Sequence, residues 1–169
     1  MPDQISAAID PPYIYIRISG RATFQNAPLI KAFLDSTINA SQPHVILDLQ
    51  TCTYLDSTFL GTLTGIALRH KKQGLPPLHF IHTTGRNLEI ITNLCLDKLF
   101  TIHSTSPFPD PTPLSLKSIE PITPLDKNQT SASMLQAHEN LIQWHPPNAS
   151  KFQDVVHYLR SRNTHTPNP

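Results

Sequence analysis

The sequence predicts an α/β protein, a mixed sheet with helices packed against it, followed by a C-terminal helical hairpin. Three observations carry this. Strand-like and helix-like segments alternate over residues 1–105, which implies helices laid on a mostly parallel or mixed sheet. The unbroken apolar run Val45-Ile-Leu47 suits a strand covered on both faces. From Ser106 the composition changes abruptly to prolines separated by small and polar residues.

Each element follows in order. Tyr13-Ile-Tyr-Ile-Arg-Ile-Ser19 is rich in β-branched and aromatic residues and ends at Gly20, which makes it the first strand. Asn26 precedes Pro28, a residue suited to a first helical turn, and Leu29, Ile30, Phe33, Leu34 and Ile38 then share one helical face. Next comes the strand Val45 to Leu49, in which Asp48 breaks the apolar run near the carboxyl edge. A short loop leads into a helix striped by Phe59, Leu60, Leu63, Ile66 and Ala67, with Lys71, Lys72 and Gly74 as cationic last turn and stop. Ser57 or Thr58 falls where its N-cap belongs. Leu78-His-Phe-Ile81 is strand-like, Arg86 to Leu94 helical, and about Phe100 to His103 a last short strand.

Beyond Ser106, Pro107, Pro109, Pro111, Pro113, Pro121 and Pro124 read as an extended, partly ordered linker. Ser133-Met-Leu-Gln136 fits a capping box opening a helix striped by Met134, Leu135, His138, Leu141 and Ile142, and Pro146-Pro147 ends it. Ser150-Lys-Phe-Gln153 opens a second, striped by Phe152, Val155, Val156 and Leu159. Helices this short need a surface to pack on. They cover the first domain or serve partner docking or self-association. The expected division is 1–105 for the α/β domain, 106–130 for the linker, 131–162 for the hairpin and 163–169 for a tail.

Composition narrows the function. A net charge of +1 and 7% aromatic residues, not interleaved with basic ones, argue against nucleic-acid binding. No run approaches the about 20 apolar residues of a membrane span, and the opening Met-Pro-Asp-Gln lacks a signal-peptide pattern, so a cytoplasmic location is expected. Cys52 and Cys95 are far apart with no CxxC, hence expected as inert thiols. Asn128-Gln-Thr130 and Asn148-Ala-Ser150 match a glycosylation pattern that has no meaning without secretion. His79 and His82, at i and i+3 of a strand, should point to opposite faces, so no metal site is expected. Gly61 and Gly65 suggest close helix–sheet packing, and no glycine pattern supports a nucleotide or other cofactor. Ser57 lacks a glycine-flanked elbow, and a histidine base could reach it only through the fold, so no catalytic residue is expected.

The chemistry on offer at Asp56-Ser57-Thr58 is a switchable hydroxyl. A phosphate there would lie close to free N–H groups and the favourable end of the helix dipole, while adding about −1.5 to −2 charge beside Asp56. The strand Val45 to Leu49, the segment Leu55-Asp-Ser-Thr-Phe-Leu-Gly-Thr-Leu63, Gly74, Leu78 to Ile81 and Arg86 to Leu94 with Leu99-Phe100 resemble the STAS domain family, and within it the anti-sigma factor antagonists. Gly20-Arg-Ala-Thr23 resembles that family's glycine-containing hairpin, and Phe59 stands where the family usually has glycine, which would put a bulky side chain near the docking surface.

The resemblance implies a STAS-like fold and a non-enzymatic interaction switch. Ser57, or alternatively Thr58, would be phosphorylated by a histidine-kinase-like Ser/Thr kinase and restored by a phosphatase. Asp56, Ser57, Thr58, Phe59, Leu60 and Thr62 would meet an anti-sigma factor or that kinase. Two alternatives stand beside it, a structural STAS subunit of a lipid-transport ABC complex and a ligand-sensing STAS module.

Overall fold

The computed structural model describes residues 2–38, 43–120 and 123–164; Pro121 and residues 165–169 of the expected tail lie outside them. The chain opens with an unannounced strand, β1 (Gln4–Asp10), which turns at Pro11-Pro12 and pairs antiparallel with β2 (Tyr13–Ala22). In β1 only Ile5 and Ala7 join the main core, too short an alternation to read in isolation.

β2 is long enough to serve two parallel partners. Its first half pairs with β3 (His44–Asp48) and its end with β4 (Cys52–Leu55), the register shifting between Gly20 and Arg21. Gly20 sits at φ 75°, and a Cβ there would lie 2.5 Å from an Asp3 carboxylate oxygen, so the position demands glycine. Gly20 to Ala22 thus continue the strand, and the tight hairpin that the sequence suggested there lies earlier, at Pro11-Pro12. β5 (His79–Ile81) and β6 (Thr101–Ile102) extend the sheet in parallel, and β7 (Lys117–Ser118) closes the far edge antiparallel to β1. The order is β6-β5-β3-β2-β1-β7, with β4 on β2, a mixed sheet as predicted.

The pleat sorts the side chains onto two faces. Ile14, Ile16, Ile18, Val45, Leu47 and Phe80 enter the main core under α1 (Ala27–Thr37), α2 (Ser57–Lys72) and α3 (Gly85–Asn93). α1 begins after Asn26 with proline in its first turn and buries Ala27, Ile30 and Leu34. Along α2, Thr58 to Thr64 are buried without a break. A helix buried all round needs a second cover besides the sheet.

That cover is α4 (Lys127–Trp144), whose contact along α2 is the most extensive between any two described elements; α5 (Ala149–Thr164) packs on α4 in turn. α4 starts earlier than the expected box at Ser133. The Asp126 carboxylate accepts the Gln129 amide at 2.7 Å while the Gln129 side chain accepts the Asp126 amide at 3.0 Å, a full capping box. Its first turn, Lys127 to Gln129, is exposed and has no apolar residue, so hydrophobic periodicity becomes visible only near Met134. At α5 the Ser150 hydroxyl donates back to the Pro147 carbonyl, and the helix opens at Ala149.

Gly61 and Gly65 serve this helix pair, not helix–sheet packing. A Cβ on Gly61 would lie 2.2 Å from the Ala137 carbonyl oxygen, and one on Gly65 2.5 Å from the Asn140 amide nitrogen. Small residues let the two backbones approach, and the Asn140 amide donates to the Gly61 carbonyl at 3.1 Å.

The second face of the sheet carries Tyr13, Tyr15, Ile46 and Ile81, and Phe108, Leu114 and Leu116 of the proline-rich stretch cover it. The Tyr15 hydroxyl donates to the Pro109 carbonyl at 2.8 Å. This part of the expected linker is therefore a cover. Prolines suit it because they bring no N–H groups that need partners against an apolar surface.

Candidate functional site at the start of α2

Asp56, not Ser57 or Thr58, is the N-cap of α2. One carboxylate oxygen accepts the Phe59 amide at 2.7 Å and the other the Phe24 amide at 2.9 Å, while the Asp56 amide donates to Ala22. A carboxylate at an N-cap satisfies orphan amides and favours the positive end of the helix dipole, so it outcompetes the neighbouring hydroxyls for this role. It also ties the turn after β2 to the helix.

With the cap taken, Ser57 occupies the first helical position, half-buried, and its hydroxyl is free for another bond. That bond goes to His138 Nε2 of α4 at 3.0 Å. His138 Nδ1 lies 2.7 Å from the Met134 carbonyl, which can only accept, so Nδ1 carries a proton, and in that tautomer Ser57 donates to Nε2. The ring is 4% exposed and packs edge-on against Phe152.

The remaining expected contact residues are placed differently. Thr58, Phe59, Leu60 and Thr62 are buried. Phe59, expected near a docking surface, is wholly inside the main core because the first turn of α2 aims it at the sheet. Two aromatic residues not singled out in the sequence stand exposed nearby, Phe24 at 38% and Tyr54 at 39%, the latter under the Arg21 guanidinium at 5.4 Å. Only their proximity to Asp56 marks them, and sequence alone does not show it.

Further polar groups gather on the second face. Asp48, 5% exposed, accepts from Arg17 Nε at 3.2 Å and the Gln50 amide at 3.0 Å, and His82 Nδ1 lies 2.8 Å from it. His82 reaches it because the strand stops at Ile81 and the residue turns at φ 54°, which brings it to the face of His79 rather than the opposite one. His79 stacks on His103, 3.2 Å between ring nitrogens, with His44 and Phe108 adjacent. Burial, then His103 and His44, press its pKa down to about 4. Among the described residues no group of three His, Cys, Asp or Glu is arranged to hold a metal ion. Burial pushes the Cys52 thiol up to about 11, leaving it unreactive at neutral pH. A groove of about 710 Å³ runs over α2 between α1 and α4, with Lys31, Arg69 and Asn140 among its lining. Among the described residues no helix is long and apolar enough to cross a membrane.

Residues 4–107 match the STAS domain, and the chain belongs to that family. The fold is similar to that of a candidate anti-sigma factor antagonist from Thermotoga maritima, TM1081. The TM-score to its crystal structure is 0.54, with 16% identity, covering 60% of this chain and 86% of that one. An NMR structure of TM1081 gives a TM-score of 0.52 at 17% identity, covering 59% and 79%. No curated protein matches the chain in sequence. The family match ends at residue 107, so the Ser57–His138 bond joins the STAS domain to the hairpin beyond it.

Proposed function

We propose that the protein is a non-enzymatic regulatory interaction module of the anti-sigma factor antagonist type, with the Ser57 hydroxyl as its switch. The observation that carries this is the position of Ser57: first residue of α2, directly behind the capping Asp56, and only half-buried where Thr58 is fully buried. It favours Ser57 over Thr58 as the modified residue. Unmodified, the segment around Asp56 and Ser57, rimmed by Phe24 and Tyr54, binds an anti-sigma factor and frees its sigma factor. A histidine-kinase-like Ser/Thr kinase phosphorylates Ser57, the added charge beside Asp56 ends binding, and a phosphatase restores it. The setting is the cytoplasm, where such partners act.

Protein purified from its native host is expected to carry a phosphorylated fraction mapping to Ser57, and affinity capture to recover an anti-sigma factor or kinase. In titration calorimetry Ser57→Asp should weaken that partner at least about tenfold more than Ser57→Ala. A chain unmodified under all growth conditions and captured with an ATPase would support the structural-subunit alternative instead. The groove over α2 favours a second reading, a ligand-sensing module, which thermal stabilisation by a small molecule would support.

A further inference from the structure

We infer that seating of the C-terminal hairpin on α2 and phosphorylation of Ser57 exclude one another, and that His138 is the side chain through which they do so. This rests on the reading of Ser57 as the modified residue. In the seated state the Ser57 oxygen and His138 Nε2 are 3.0 Å apart, a gap filled by one hydrogen-bonded proton. Phosphoryl transfer from ATP forms an Oγ–P bond, breaks the bond from the γ-phosphorus to ADP and releases the hydroxyl proton to solvent. The donor that held His138 is then gone. In its place stand a phosphorus and three terminal oxygens that share about −1.5 to −2 charge and do not fit the gap. In the tautomer that the Met134 carbonyl selects, the His138 N–H is committed to that carbonyl and Nε2 turns a lone pair toward them. Both Asp56 oxygens already serve amides, and this adjacent carboxylate repels the phosphate.

Nor can α4 yield by a small shift. The Ala137 backbone lies against Gly61 and the Asn140 side chain against Gly65, and the Asn140 side-chain amide is bonded to the Gly61 carbonyl. Close-packed contacts of this kind are bistable, seated or parted. Exclusion is reciprocal: whatever factor the phosphate takes from seating, seating takes from phosphorylation. The hairpin therefore raises the threshold for modification, and modification frees the buried stripe of Ala137, His138 and Leu141.

The test uses the full chain with phosphoserine installed at position 57 during translation, compared with the unmodified chain by amide hydrogen exchange. Peptides from α4 and α5 should exchange at least about tenfold faster in the phosphorylated chain, while those from β2 and β3 stay unchanged. Unchanged or slower exchange in α4 would overturn the inference, slower exchange meaning that His138 takes up a proton and clasps the phosphate. In a His138→Gln background, where a side-chain amide can donate to the phosphate, the effect should shrink to less than about threefold. A full effect there would remove His138 from the coupling. If the phosphoserine chain does not fold, Ser57→Glu puts a carboxylate in the same gap and is read by the same criteria. No kinase enters this measurement, so the two ideas fail separately. A host protein never phosphorylated at Ser57 sinks the switch and leaves the exclusion standing. Phosphate found there without any change in α4 does the reverse.

Discussion

The two faces of the sheet are covered in opposite ways. One lies under three helices and a continuous apolar core, and the helix at its centre is clamped from outside by α4. The other lies under a proline-rich strap, and its side chains are tyrosines, histidines and an Arg17–Asp48–His82 cluster with a few aliphatics between them. The helical face holds by close packing, where a methyl group is felt. The strapped face holds by ring contacts and polar bonds, which tolerate truncation better and respond to protons.

Paired substitutions test that difference most strongly. Phe59→Ala, in the helical core, should cost about 3–5 kcal/mol in chemical denaturation, whereas Phe108→Ala under the strap should cost about 1–2 kcal/mol because its ring is only partly buried. Equal losses would erase the distinction. Gly61→Ala adds a single methyl against the Ala137 carbonyl and should cost about 1–3 kcal/mol while increasing binding of a hydrophobic dye, because it parts α4 from α2. No change would mean that the helix pair is looser than its geometry.

The strapped face should answer to pH. An unfolded chain protonates His79 near its ordinary value of 6.5, and the folded chain resists until about 4. Stability present above the upper value is lost as pH falls through that window, by about 1–2 kcal/mol after allowance for partial exposure. On the helical face, burial lowers His70 of α2 in the same direction. His79→Asn should flatten the profile measured by denaturant midpoint, and a profile unaltered by it would assign the effect elsewhere. The smallest expected effect is that of Ser57→Ala, which loses one hydrogen bond to His138 and should cost about 1 kcal/mol.

The helical face was largely legible in the sequence. β-Branched and aromatic residues marked β2, an unbroken apolar run marked β3, Asn26 and Pro28 marked the start of α1, and α2 stops where Lys71, Lys72 and Gly74 predict. Elements defined by partners were not legible. β1 and β7 are strands because of what they pair with, and the strap covers the sheet because Tyr15 and its neighbours bind it. At the candidate site the serine was visible but its surroundings were not. Ser57 and His138 are 81 positions apart, and His138 reads in the sequence as one more member of a helical stripe. The role of Gly61 was misassigned for the same reason, since local pattern shows that a close approach is allowed but not which element makes it.

Trp144 is the only tryptophan in the chain and lies in the last turn of α4. Its indole N–H donates to the Cys95 carbonyl at 2.9 Å, and the Lys71 ammonium stands 5.1 Å from its ring centre. The one strong intrinsic fluorophore thus rests on the seam between the STAS domain and the hairpin, with a cation over its face. Departure of α4 would move the indole into water and away from that cation, shifting its emission to the red. The protein carries its own optical gauge of whether the hairpin is down, readable on unlabelled material and in real time.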